Sequence, residues 1–120
     1  MNTVILIGRL TRDPDLRYTA GGNASCYFCL AVDRPFTNQQ GEKETDFIDV
    51  VCWRKLAETV GKHLGKGRLV AVQGRLQTRT YEKDGQKRKA YEVVAENVRF
   101  LDWPKGEDAS TADEDDFPEF

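Results

Sequence analysis

Between Asp46 and Trp53 the chain alternates, and a period of two sorts its side chains onto two faces. Ile48, Val50 and Cys52 form an apolar set suited to a core, while Phe47, Asp49, Val51 and Trp53 share the opposite face. Phe47 and Trp53 are six residues apart, about 20 Å at strand rise. From Leu69 to Tyr81 the same sorting places Val70, Val72, Leu76 and Thr78 inward, and Gln73, Arg75, Gln77, Arg79 and Tyr81 outward. A hairpin then carries Lys83, Lys87, Arg88 and Lys89, and a polar stretch from Asp33 to Thr45 brings Arg34 and Phe36. Flat rings stack on bases of any sequence, worth on the order of 1–3 kcal/mol each. Lys and Arg neutralise phosphates and release counterions. Taken singly, each of these residues has a plainer use, in a core, an interface or a solvated surface. Together, rings and cations on the outer faces of two strands describe a surface for single-stranded nucleic acid with little sequence preference. Stacking alone does not reject a 2′-OH, so RNA stays open beside DNA.

The elements that must hold these side chains follow from pattern. Val4 to Leu10 is rich in β-branched residues and reads as a strand, with Leu16-Arg17-Tyr18 a short continuation after the Asp13-Pro14-Asp15 turn. Ala24 to Val32 alternates, with Ala24, Cys26, Phe28, Leu30 and Val32 on one face. After Trp53 the period changes: Leu56, Val60 and Leu64 recur every four residues, an amphipathic helix stopped by Gly65 and Gly67. Leu69 to Tyr81 is a long strand with Gly74 as a bend, Asp84-Gly85 is a hairpin turn, and Ala90 to Leu101 is the last strand. Three strands, one helix and two strands predict an all-β fold, a five-stranded Greek-key OB-fold barrel with one short helix between strands three and four.

Charge divides the chain. Through residue 105 there are 18 basic and 13 acidic residues; from Gly106 onward there are seven acidic residues and no basic one. The reading is a basic domain over 1–105, then a short linker and a disordered acidic tail over 106–120, ending Asp113-Glu114-Asp115-Asp116-Phe117-Pro118-Glu119-Phe120. Such a tail suits a protein partner or a nucleic-acid mimic. No apolar run approaches a membrane span and no signal peptide is evident, which predicts a cytoplasmic protein. The odd cysteine count fits a reducing compartment. Cys26-Tyr27-Phe28-Cys29 is a C-x-x-C string, but on a strand residues three apart face opposite sides, and the single histidine, His63, lies elsewhere. No metal or cofactor is expected.

Several segments carry a resemblance to the bacterial single-stranded DNA-binding protein family: Asn2 to Leu10, Asp13 to Tyr18, Lys55-Leu56-Ala57-Glu58, Lys66-Gly67, Gly74 to Arg79 and Tyr91 to Ala95, in this order and spacing. The resemblance implies an OB-fold, a homotetramer and DNA wrapped over the outer surface. It implies base stacking at Phe36, Phe47, Trp53 and Tyr81, and basic contacts at Arg17, Lys55, Lys66 and Arg79. Asp49 and Gln77 stand where other contact positions of the family are basic. The tail pattern of acids, a hydrophobic residue, Pro and Phe implies docking of replication, recombination and repair proteins. Here Asp115-Asp116-Phe117-Pro118 fits, Glu119 separates Pro118 from Phe120, and only Gly106 to Ala112 intervene before the acids.

The function expected is therefore binding, protection and organisation of single-stranded DNA near the nucleoid, without catalysis. The rivals are a replication-restart adaptor of the same fold, and a metal-dependent nuclease using Asp33, Asp46 or Asp49. The adaptor leaves the acidic tail without a role. The nuclease lacks a clustered carboxylate motif and leaves the outer rings unexplained.

Overall fold

Alternating small and large apolar residues make the third segment a strand with one greasy side. In the computed structural model, which describes residues 1–102, Ala24, Cys26, Phe28 and Leu30 of that strand are all buried. The described chain runs β1 (Val4–Leu10), β2 (Asp15–Tyr18), β3 (Ala24–Thr37), β4 (Lys43–Trp53), α1 (Arg54–His63), β5 (Leu69–Lys83) and β6 (Gln86–Phe100). Neighbours in the sheet are β1-β5-β6-β4-β3-β2, and β1 also pairs with β3 at Arg9↔Ala31 and Leu10↔Leu30, which closes five strands into a barrel. β2 lies outside the closure, paired only with β3. All pairings are antiparallel except β4 with β6, where Val50↔Val93 and Val51↔Val94 run parallel. The helix lies between the third and fourth barrel strands, as the pattern predicts.

The core is Phe28, Leu30, Val50, Cys52, Val70, Val72, Val93 and Val98, with Ala57, Val60 and Leu64 of the helix region packed onto it. Cys26 is in this core and Cys29 is half-buried on the other face, so the C-x-x-C string is split by the strand as expected. Cys52 opposes Cys26 across the ladder, and this close thiol neighbour, together with burial, pushes the Cys52 thiol up. α1 follows β4 without a loop because Arg54 takes φ 60, in the left-handed region. Trp53 is thereby both the last strand residue and the helix N-cap.

Two expectations change. The polar stretch from Asp33 to Thr45 is mostly a hairpin: β3 continues to Thr37, β4 starts at Lys43, and Asn38 Oδ1 accepts from the Gln40 and Glu42 amides at 2.9 Å each. Pro35 falls where the ladder shifts register between Asp33 and Thr37, as befits a residue with no N–H to give. The second change concerns β5. Leu76 and Thr78, assigned inward by period, are exposed, Leu76 at 45%. The register shifts between Gln73 and Gly74, and from Arg75 to Lys83 every residue is exposed. Beyond Leu76 and Val93, where β6 no longer pairs with β4, the β5–β6 ribbon leaves the barrel as a two-stranded arm, and neither of its faces has a core to meet. The arm turns at Asp84 (φ 53) and Gly85 (φ 74), both left-handed as a two-residue hairpin requires. Asn2 pins its root: Asn2 Nδ2 donates to the Leu76 carbonyl at 2.8 Å and Oδ1 accepts from the Leu76 amide at 2.9 Å.

Asp102, just past β6, ties the start of β5 to the end of β1. It accepts from the Leu69 amide at 3.1 Å, Arg68 Nε at 3.1 Å and Arg9 at 3.0 Å. Partial burial pushes its carboxyl up, but the Leu69 amide and the Arg9 and Arg68 guanidinium groups outweigh this and hold it below the ordinary range. A depressed native pKa contributes stability that is full above the unfolded value near about 4 and is lost as pH falls through the native value. Asp102→Asn is expected to cost about 1–3 kcal/mol at pH 7. Chemical denaturation at pH 7, 5 and 3 checks it: the gap from the native chain should hold to about pH 5 and narrow below pH 4. A gap constant with pH would overturn this account.

Candidate nucleic-acid interface

Strand register decides which outer residues are neighbours. Arg17 of β2 opposes Ser25 of β3, which opposes Trp53 of β4. Arg17 and Trp53 thus stand two strands apart in one row, about 10 Å, and both are exposed. Lys55, two residues after Trp53 in the first turn of α1, is exposed as well. Along β4 the same face presents Asp49 and Phe47, and Phe47 is 68% exposed against 47% for Trp53. Rings of this size facing water bring no core stability. The register therefore brings Arg17, Trp53 and Phe47 onto one continuous side of the barrel, and Lys55 follows Trp53 in the first turn of α1.

Lys66 is exposed on the loop after α1, which is fixed by Asp13 Oδ1 accepting from the Lys66 amide at 2.9 Å. Phe36, 66% exposed, rides on the β3–β4 hairpin. Arg34 is on the same hairpin, but its charge is engaged. It donates to both carboxylate oxygens of Asp46, at 3.1 and 2.9 Å, and also to Glu44. The Arg34 hydrogen bond and charge hold the Asp46 carboxyl below its ordinary range.

The arm divides its cations. Arg75, Arg79 and Tyr81 alternate along β5 and oppose Val94, Ala90 and Arg88. The Arg79 guanidinium lies 5.6 Å from the Tyr81 ring centroid, with its Nε 3.7 Å from Glu92. Lys87 opposes Glu82 and so belongs to the other face, with Thr78, Thr80, Lys89 and Tyr91. The arm residues singled out from sequence therefore do not form one patch.

Arg12 and Tyr27 carry no role predicted from sequence. The Arg12 guanidinium lies over the Tyr27 ring, 5.3 Å from its centroid, and the Tyr27 hydroxyl donates to Asp49 Oδ1 at 2.7 Å. Burial, then the Asp49 hydrogen bond and charge, push the Tyr27 phenol above its ordinary range despite Arg12, so it remains a donor at neutral pH. No sequence signal links residues from a loop and two strands; Tyr91, 60% exposed on β6, was passed over as ordinary strand. Asp33, Asp46 and Asp49, the carboxylates of the nuclease alternative, engage different partners: Thr45 and Lys43, Arg34, and Tyr27. The acidic segment Asp113 to Phe120 and the linker before it lie outside the described residues. Among the described residues no helix is long and apolar enough to cross a membrane.

A five-stranded closed barrel with a helix between its third and fourth strands, carrying rings and cations outside, defines the OB-fold class of oligomer-binding barrels. Within that class the chain belongs to the single-strand binding protein family, whose profile matches residues 1–101. It is 60% identical over 103 residues to the single-stranded DNA-binding protein of Bacillus cereus, covering 85% of this chain and 61% of that relative. It is 56% identical over 113 residues to single-stranded DNA-binding protein 2 of Listeria monocytogenes, covering 93% of this chain and 70% of the relative. With single-stranded DNA-binding protein 2 of Clostridium acetobutylicum it shares 50% over 115 residues, 94% of this chain and 86% of the relative. The chain spans about three fifths of the length of the Bacillus relative.

Proposed function

We propose that this protein binds single-stranded DNA along the outer face of β4 and across the arm, with no catalytic step. The observation that carries this is the pair of exposed rings, Phe47 and Trp53, on one strand face with Arg17 and Lys55 beside Trp53. Single strands offer unstacked bases to such rings and phosphates to such cations, whereas a duplex hides its base faces. Phe36, Tyr81, Lys66, Arg75, Arg79 and Lys87 extend the path, and Arg34 acts by holding the hairpin that carries Phe36. The names of the relatives support the same ligand. The reading includes a homotetramer, for which Ile5 and Ile7, 68% and 56% exposed on β1, offer an apolar surface. It also includes a domain boundary near residue 105 and recruitment of replication and repair proteins by residues 113–120, in the cytoplasm at the nucleoid.

Salt tests the electrostatic half. If Arg17, Lys55, Lys66, Arg75 and Lys87 each neutralise a phosphate, log affinity for oligo-dT should fall with log salt at a slope of about −3.5 per protomer. Arg34→Gln should change that slope by well under one, since Asp46 and Glu44 already engage Arg34. Anisotropy of a labelled oligo-dT, titrated at several salt concentrations, measures both. A duplex of the same length that competes on equal terms would overturn the proposal.

A further inference from the structure

β4 and β6 pair only from Val50 and Val93 onward. Before that point they diverge, and the fork between them is an open recess of about 320 Å³. Phe47, Tyr91, Leu76, Leu6 and Asp49 are among the residues that line it. Asp49 is two residues from Phe47 on the same strand face, about 7 Å. A base stacked on Phe47 therefore brings its edge to the carboxylate. Tyr27 holds Asp49 by Oδ1 alone; among the described residues Oδ2 has no partner. Glu92, the other acid lining the recess, already faces Arg79.

Building on single-strand binding as the function, we infer that this fork is a nucleobase pocket in which Asp49 accepts a hydrogen bond from an exocyclic amine. The chemistry follows from the carboxylate. A carboxylate can only accept, so Asp49 pairs with the amine at position 4 of cytosine, whereas in uracil or thymine the carbonyls on either side of N3–H repel it. Arg12, over the Tyr27 ring, supplies a cation for the adjoining phosphate in a row where β4 itself presents an acid. Charge also selects the occupant. An acid in the lining disfavours the chain's own Asp113-Glu114-Asp115-Asp116 segment and favours a base that donates.

Oligo-dC and oligo-dU of equal length form the test, because their bases share one ring and differ only along the edge facing the acid: cytosine presents a 4-amine and a bare N3, uracil a 4-carbonyl and an N3–H flanked by carbonyls. Anisotropy at one salt concentration should show the full chain preferring oligo-dC by about five- to tenfold. Asp49→Asn should bring the ratio near one and raise oligo-dU affinity, since an amide can donate as well as accept and carries no charge. Tyr27→Phe keeps the charge but frees the carboxylate, and should reduce the preference in part. Equal affinities for the two oligonucleotides in the native chain, or a preference that survives Asp49→Asn, would overturn the pocket while leaving single-strand binding intact. So would loss of the preference on adding a peptide of residues 113–120, which would place the chain's own end in the fork. If the native chain binds neither oligonucleotide, single-strand binding itself fails and the pocket with it.

Discussion

Joint replacement of Phe47 and Trp53 by alanine is expected to weaken oligo-dT binding by roughly three orders of magnitude. Each ring stacks for about 2 kcal/mol. The two lie about 20 Å apart with no shared partner, so their effects should add. Each single variant should lose about thirtyfold by the same figure. Stability should hardly move, because both rings face solvent and leave no cavity when removed. Anisotropy of a labelled oligonucleotide reads the binding, and thermal unfolding confirms that the fold survives. Full affinity in the double variant would mean that these rings meet another protomer instead of a base. A large fall in Tm would mean that they are packed in the assembled protein.

The second large effect is on the fold. A methyl group at Gly74 would lie within 2.9 Å of the Val94 carbonyl carbon and 3.0 Å of the Ala95 Cα, and closer still to the Val94 oxygen. These are backbone atoms of β6 and have no rotamer to escape into. Gly74→Ala must therefore shift the ladder just before the arm leaves the barrel. A cost of about 2–4 kcal/mol is expected, which for a domain of this size lowers Tm by at least about 10 °C. The arm should also be re-aimed, so oligo-dT affinity should drop in the fraction that folds. A Tm within two or three degrees, roughly the effect of half a kcal/mol, would show that the bulge relaxes without strain.

These two sites differ in how far the sequence revealed them. Phe47 and Trp53 were legible because β4 has a buried partner face: Val50 and Cys52 fix the inside, so their neighbours must point out. The helix was legible for the same reason, from the four-residue spacing that buries Val60 and brings Leu64 onto the core. β5 defeats that reasoning. Period two says which residues share a face, but not whether anything lies on that side, and along the arm beyond Leu76 nothing does. Lys87 was grouped with Arg79 and Tyr81 by nearness in sequence, whereas register across the turn decides the face, and it puts Lys87 on the other one. Arg34 counted as a free cation because composition cannot tell a paired guanidinium from an unpaired one. The Arg12, Tyr27 and Asp49 cluster depends on three elements meeting, so no local pattern announces it.

The arm has a consequence for what stability means in this molecule. From Thr80 to Lys89 it is held by a two-stranded ladder and a turn, with no buried side chain. Opening such a ribbon exposes almost no apolar surface, so its free energy of opening is set by backbone hydrogen bonds and is far smaller than that of the barrel. The chain thus has two cooperative units joined beyond Leu76 and Val93, and a single unfolding free energy describes only one of them. Ordering the weaker unit on a bound strand draws on binding energy that stacking and phosphate contacts must supply.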